Sequence, residues 1–166
     1  MSRWGLLHNL PIPAGQVVGI GASILLDRFP TRLPGGVALQ RLIGAVSIAS
    51  GCALNAWALV ERRRRESGAF DLERPQTLVT TGPYAITRNP MYVGWWLIHL
   101  GVVVFRGSGW VLVTVPAAVL IEHYGVLREE RALAAAFGDR FARYARRVPR
   151  YLPMPRLRPH RHPSHG

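Results

Sequence analysis

Apolar residues fall into four blocks along the chain, and the charged residues fall between them. The first block runs from about Ala14 to Leu26; an upstream extension through Trp4 to Leu10 is interrupted by Pro11 and Pro13. The second, Leu42 to Val60, carries no charge. The third runs from Met91 to Phe105 and the fourth from Trp110 to Ile121, with only Arg106, Gly107, Ser108 and Gly109 between them. A helix needs about 20 apolar residues to cross about 30 Å of hydrocarbon, so the second block is long enough by itself. The third rises only about 22 Å at 1.5 Å per residue. The short pair must extend past its apolar runs or sit where the bilayer is thin. Joined by a Gly-containing turn, the two read as a helical hairpin. The pattern predicts an all-α integral membrane protein of about four transmembrane helices, with a C-terminal helical hairpin followed by a cytoplasmic amphipathic helical tail.

The tail, Glu122 to Arg147, is helical by composition. Phe137-Gly138 reads as a helix stop, and Asp139 opens a second, basic helix carrying Phe141 and Tyr144. Such a helix suits the membrane surface. Residues 154–166 are Pro, Arg and His for the most part and are expected to be disordered. Residues 1–153 then form one membrane domain: two scaffold helices in 1–60, and the hairpin and tail in 75–152. Small residues recur at four-residue spacing in the first two helices: Gly15, Gly19 and Ser23, then Ser47, Gly51 and Asn55. Such faces let helices approach closely in lipid.

Charge adds orientation. The net charge is +12, and all 21 basic residues are arginine. Arg62, Arg63, Arg64 and Arg65 follow the second block, and Arg128, Arg131, Arg140, Arg143, Arg146, Arg147 and Arg150 follow the fourth. The other two loops carry few. Basic loops stay inside, so both termini and the 61–90 segment are expected in the cytoplasm, in contact with anionic lipid. A bacterial inner membrane is the expected location. Nucleic-acid binding is the other reading of +12, but the apolar residues are spent on long stretches rather than on a soluble core. Cys52 is the only cysteine, and nothing organises His160, His162 and His165, so no metal is expected.

Polar groups at membrane depth are costly and tend to be functional. The densest polar stretch opens the third block: Thr81-Gly82-Pro83-Tyr84, then Arg88-Asn89-Pro90-Met91-Tyr92. Gly82-Pro83 marks a turn. Asn89 before Pro90 reads as an N-cap followed by proline at the first helical position. Tyr92, Trp96 and His99 then share a face. Glu122, His123, Glu129 and Glu130 form a second concentration beyond the fourth block. An antiparallel hairpin brings the two concentrations together at its cytoplasmic end. Which of Glu129 and Glu130 faces the hairpin stays open.

Gly82-Pro83-Tyr84, Arg88-Asn89-Pro90-Met91-Tyr92-Val93-Gly94, Glu129-Glu130-Arg131-Ala132-Leu133, Phe137-Gly138 and Tyr144 resemble the isoprenylcysteine carboxyl methyltransferases and, more broadly, the related phospholipid methyltransferases. The resemblance covers about residues 75–152. It implies S-adenosyl-L-methionine as cofactor, held between the hairpin's cytoplasmic end and the tail, and a lipophilic acceptor. On that footing Gly82, Tyr84, Asn89, Pro90, Tyr92, Glu129 and Glu130 are candidate cofactor residues. Arg88 and Tyr92 are candidate catalytic residues, and Trp96 and His99 line the acceptor side. The family's histidine is Asn89 here, which cannot titrate near neutral pH and so cannot act as a general base. Methyl transfer from a sulfonium asks mainly for proximity and orientation. The competing readings are a membrane reductase using NADPH, against which stands the absence of a Gly-x-Gly-x-x-Gly run, and a non-catalytic membrane scaffold.

Overall fold

The computed structural model describes residues 13–29, 31–65 and 77–152; the upstream extension of the first block and the 154–166 tail lie outside them. Five α-helices are described: α1 (Ala14–Leu26), α2 (Val37–Arg65), α3 (Pro90–Phe105), α4 (Val111–Phe137) and α5 (Asp139–Arg147). A 3-10 turn, Gly82–Ala85, precedes α3. Each boundary has a local cause. Arg62, Arg63, Arg64 and Arg65 fill the last turn of α2, where cations complement the helix dipole. Pro90 occupies the first turn of α3, where its missing N–H costs nothing. Gly138 takes φ +48 between α4 and α5, a left-handed value that glycine adopts without strain.

Two helices, α2 and α4, are long and apolar enough to cross a membrane. Only 17% and 28% of their apolar windows are buried, so these helices present hydrophobic surface outward instead of enclosing it as a soluble core would. Leu42, Val46, Leu112, Leu120 and Ile121 are all exposed. α1 and α3 are shorter apolar helices. The fourth apolar block ends near Ile121, and α4 runs on unbroken through Glu122 to Phe137. Glu122 does not end it because its carboxylate is satisfied by side chains from neighbouring helices. α3, at 16 residues, gains nothing beyond its apolar run.

The helices pair across the expected division into scaffold and hairpin. α3 packs chiefly against α2, and α4 chiefly against α1. The α2–α3 contact is built on glycine. A Cβ on Gly101 would sit 2.7 Å from the Gly44 carbonyl oxygen and 2.8 Å from the Ile48 nitrogen, and one on Gly44 would meet the Phe105 nitrogen at 2.6 Å. Gly51 and Gly94 face each other in the same seam, and Ser47 Oγ donates to the Leu97 carbonyl at 2.7 Å. Gly19 plays the same part on α1, lying against His99 and Ala118. Cys52, by contrast, is exposed on α2. At the end remote from the polar stretch, Arg106 pairs with Asp27 at 2.6 Å and Trp110 Nε1 donates to the Phe29 carbonyl at 3.2 Å. These contacts tie the loop after α1 to the α3–α4 turn.

Candidate active site at the start of the third helix

Polar side chains on α3 meet partners from α4, α1 and the C-terminal segment in a series of rungs that descends from the start of α3 toward the middle of the bundle. The top rung centres on Glu130. Arg88 Nη2 lies 3.4 Å from Glu130 Oε1. Arg150 donates to Glu130 Oε2 from Nε at 3.0 Å and Nη2 at 2.8 Å. The Arg88 and Glu130 side chains are only 12% and 11% exposed, so each charge depends on the other for compensation. Asn89 stands at the N-cap position, but its side chain makes no cap bond. Its Nδ2 donates instead to Glu130 Oε1 at 3.5 Å and to the Arg150 carbonyl at 3.0 Å. The capping role expected of Asn89 is therefore replaced by a bridging one.

One turn along, the Tyr92 hydroxyl bonds to the Glu129 carboxylate, and Arg62 at the end of α2 adds favourable charge beside Glu129. So both glutamates reach the α3 side, Glu130 through Arg88 and Asn89, Glu129 through Tyr92. On the next rung, Trp96 Nε1 donates to Glu122 Oε2 at 2.8 Å, and Gln16 donates to the same carboxylate from its backbone N at 3.1 Å and its Nε2 at 2.8 Å. Below it, His99 Nδ1 meets Gln16 Oε1 at 2.7 Å. That amide oxygen can only accept, so Nδ1 carries the proton. His99 and Gln16 are fully buried.

The C-terminal segment straps across these rungs. The Arg88 N–H donates to the Pro149 carbonyl at 2.9 Å, and Thr87 Oγ1 donates to that of Arg150 at 3.0 Å. The Tyr151 ring lies 4.6 Å from Trp96, and its hydroxyl is 2.8 Å from His123 Nδ1. Burial pushes the Tyr151 phenol above its usual range, so it stays protonated and available as a donor.

Gly82 and Tyr84 lie against α2. Gly82, at φ +59, packs against the Glu61 side chain, which accepts a bond from Thr81 Oγ1. Tyr84 shares a buried cluster with Ala58, Val79 and Met91, and its carbonyl accepts from the Tyr144 hydroxyl at 2.7 Å. Sequence reasoning missed Gln16, Arg150 and Tyr151. A lone amide inside the apolar run of α1 was a readable signal for Gln16. Arg150 and Tyr151 carry none, being one arginine among many and one tyrosine outside the helical pattern.

The residues present fit a cofactor with an amino-acid end. Arg88 Nε is buried without a hydrogen-bond partner, and the start of α3 beside it lacks a side-chain cap. An uncapped helix start next to an unmet guanidinium N–H suits a carboxylate. Glu129 and Glu130 supply acceptors for an ammonium group or ribose hydroxyls. Among the described residues, no group of three or more His, Cys, Asp or Glu could hold a metal ion.

Comparison with known proteins shows which family the chain belongs to. The chain is 42% identical over 78 residues to the cobalt-zinc-cadmium resistance protein CzcN of Cupriavidus metallidurans, a stretch covering 46% of this chain and 36% of that protein. It is 34% identical over 79 residues to the protein-S-isoprenylcysteine O-methyltransferase of Schizosaccharomyces pombe, covering 46% and 33%. The matched stretch thus spans about a third of the length of either relative. No solved structure matches the chain. The phospholipid methyltransferase family model matches residues 39–140, which takes in α2, α3, α4 and the Arg88–Glu130 and Tyr92–Glu129 pairs. With more than half of its length matched, the chain belongs to the phospholipid methyltransferase family.

Proposed function

We propose that this protein transfers the methyl group of S-adenosylmethionine to a lipophilic acceptor at the cytoplasmic face of a bacterial inner membrane. The carrying observation is the pair of rungs at the start of α3, Arg88–Asn89–Glu130 and Tyr92–Glu129, set at one end of an apolar helix bundle. Arg88 and the uncapped N-terminus at Pro90 would hold the cofactor carboxylate. Glu129 and Glu130 would accept from its ammonium or hydroxyl groups, and Gly82 and Tyr84 would shape the floor beneath. The bound cofactor would supply an electrophilic methyl group on a cationic sulfur. The Tyr92 ring suits that cation, and Trp96 and His99 line the way to the acceptor. The acceptor's reacting group is a carboxylate, amine, hydroxyl or thiol. A polar cofactor from the cytosol and an acceptor from the bilayer meet most directly at such a boundary. Ligand binding tests the reading: S-adenosylhomocysteine is expected to raise the melting temperature of the detergent-solubilised protein, and NADPH to leave it unchanged. Stabilisation by NADPH alone would point to a reductase, and by neither to a non-catalytic scaffold.

In this reading residues 1–153 form one membrane domain with four spans and both termini in the cytoplasm, as the arginine asymmetry suggests. A single cysteine at Arg143 in a Cys52→Ser background should resist a membrane-impermeant maleimide in intact cells and react once the membrane is opened. Labelling from outside would refute this topology.

A further inference from the structure

Glu122 is a carboxylate inside the bundle whose hydrogen-bond partners are all neutral. It is 5% exposed. Both oxygens are fixed, by the Gln16 backbone N–H, the Gln16 side-chain amide and the Trp96 indole N–H. Among the described residues, no arginine pairs with it. Three titratable rings lie around it: Tyr92 and Tyr151 within its electrostatic reach, and His99 reached through Gln16. His99 Nε2 is buried without a hydrogen-bond partner. A neutral ring leaves only a lone pair unmet there, whereas a protonated one would bury an unmet N–H and a positive charge, which costs far more. Three N–H donors on its two oxygens suit an ionised Glu122 carboxylate, and among the described residues no fixed counter-cation sits beside it. An apolar residue of similar size would fill the position at lower cost.

Its placement gives that cost a use. The Trp96–Glu122 rung lies about one helical turn below Tyr92 on α3, on the bilayer side of the residues that suit the cofactor. Gln16, which supplies two of the three donors, lies outside the family-matched segment 39–140. Resting on the methyl-transfer reading above, we propose that Glu122 receives the acceptor. The acceptor class is one whose reacting group carries a proton, an amine or a hydroxyl, and Glu122 takes that proton. Gln16 and Trp96 are positioning residues that hold the carboxylate. The acceptor nitrogen or oxygen forms its new bond to the methyl carbon with its own lone pair. The carbon–sulfur bond breaks, its electron pair stays on sulfur, and the sulfonium charge disappears. The acceptor's proton passes to a Glu122 oxygen and is released to water before the next turnover. A carboxylate acceptor has no proton to give and meets like charge at Glu122.

The test offers the purified protein labelled S-adenosylmethionine and three single-chain amphiphiles with the same alkyl tail, ending in a primary amine, a phenol or a carboxylate. Transfer to the amine or the phenol is expected at least about a hundredfold above the carboxylate. Glu122→Gln is expected to lower that transfer by about a hundredfold or more, within the range general-base groups supply, while S-adenosylhomocysteine affinity stays within about threefold of the parent. Methylation of the carboxylate in preference, transfer to none of the three, or a Glu122→Gln protein as active as the parent would each overturn the proposal. If Glu122→Gln does not fold, the parent's preference among the three amphiphiles decides. A parent that binds no S-adenosylhomocysteine refutes the methyl-transfer reading itself. One that binds it and prefers the carboxylate refutes only the role of Glu122.

Discussion

Glu130→Gln is expected to release the 148–151 segment from the bundle and to abolish measurable cofactor binding. The Glu130 carboxylate compensates Arg88 and Arg150 together and accepts from Asn89. Removing it leaves the Arg88 guanidinium buried without a counter-ion, a loss of about 3–5 kcal/mol when a buried pair is broken. Arg150 is 35% exposed, so its share is screened by water and places the total toward the lower end. Even about 3 kcal/mol corresponds to more than a hundredfold in affinity. Two measurements check this. Titration with S-adenosylhomocysteine should show at least a hundredfold weakening, and trypsin should release the peptide beginning at Tyr151 far faster than from the parent. Glu129→Gln supplies the contrast. It removes one charge-assisted bond with Tyr92, worth about 1.5–3 kcal/mol, so binding should weaken by about tenfold to a hundredfold with no change in tryptic release. Parent-like cleavage and affinity in Glu130→Gln would remove Glu130 from the centre of the site.

Gly101→Leu is expected to be among the most damaging single substitutions in the membrane core. A Cβ there meets the Gly44 carbonyl oxygen at 2.7 Å and the Ile48 nitrogen at 2.8 Å. Both atoms are backbone, so no rotamer change relieves the contact and α2 and α3 must separate. Overpacking costs about 1–3 kcal/mol where side chains can give; here the expected cost lies at or beyond the top of that range. Because α3 carries Arg88, Asn89 and Tyr92, separation also displaces the site. Thermal denaturation in detergent should show Gly101→Leu melting well below the parent, or failing to purify as a folded monodisperse species. Gly21→Ala is the control: a Cβ at Gly21 meets nothing within 4 Å, and its melting temperature should match or exceed the parent's. Equal stability of the two variants would show that the glycine seam is not what holds α2 and α3 together.

The parts of this architecture that follow from local chemistry were readable from the sequence. Pro90 starts α3 where an Asn-Pro pair suggests, and Gly138 separates α4 from α5 after Phe137. The meeting of Arg88 with Glu130 followed from a topological argument: an antiparallel pair of helices brings its two ends together. What could not be read was partner choice at long range. Nothing near Arg150 distinguishes it from the other arginines of the tail, yet it closes on Glu130. Gly94 and Gly101 were passed over because a helix's own periodicity does not say which neighbour it will approach. Glu122 was grouped with the polar residues beyond the fourth block, and its partner Gln16, 106 residues away in the chain, could not be read. Asn89 was assigned a cap because its position favours one, but Glu130 and the Arg150 carbonyl compete successfully for its amide.

The strap from Val148 to Tyr151 also sets an order of events during synthesis. Every described helix of the bundle precedes it, so α1 to α4 can pack while Arg150 is still within the ribosome. Glu130 and Arg88 then face each other before Arg150, the third charge of their set, has emerged. The carbonyls of Pro149 and Arg150 that receive the Arg88, Thr87 and Asn89 donors arrive at the same late moment. Insertion and completion of the site are therefore separate steps, the second waiting on the last few residues of the strap. A chain shortened by as little as those residues would still be delivered to the bilayer as a packed bundle, with its top rung open to water and short of its third charge.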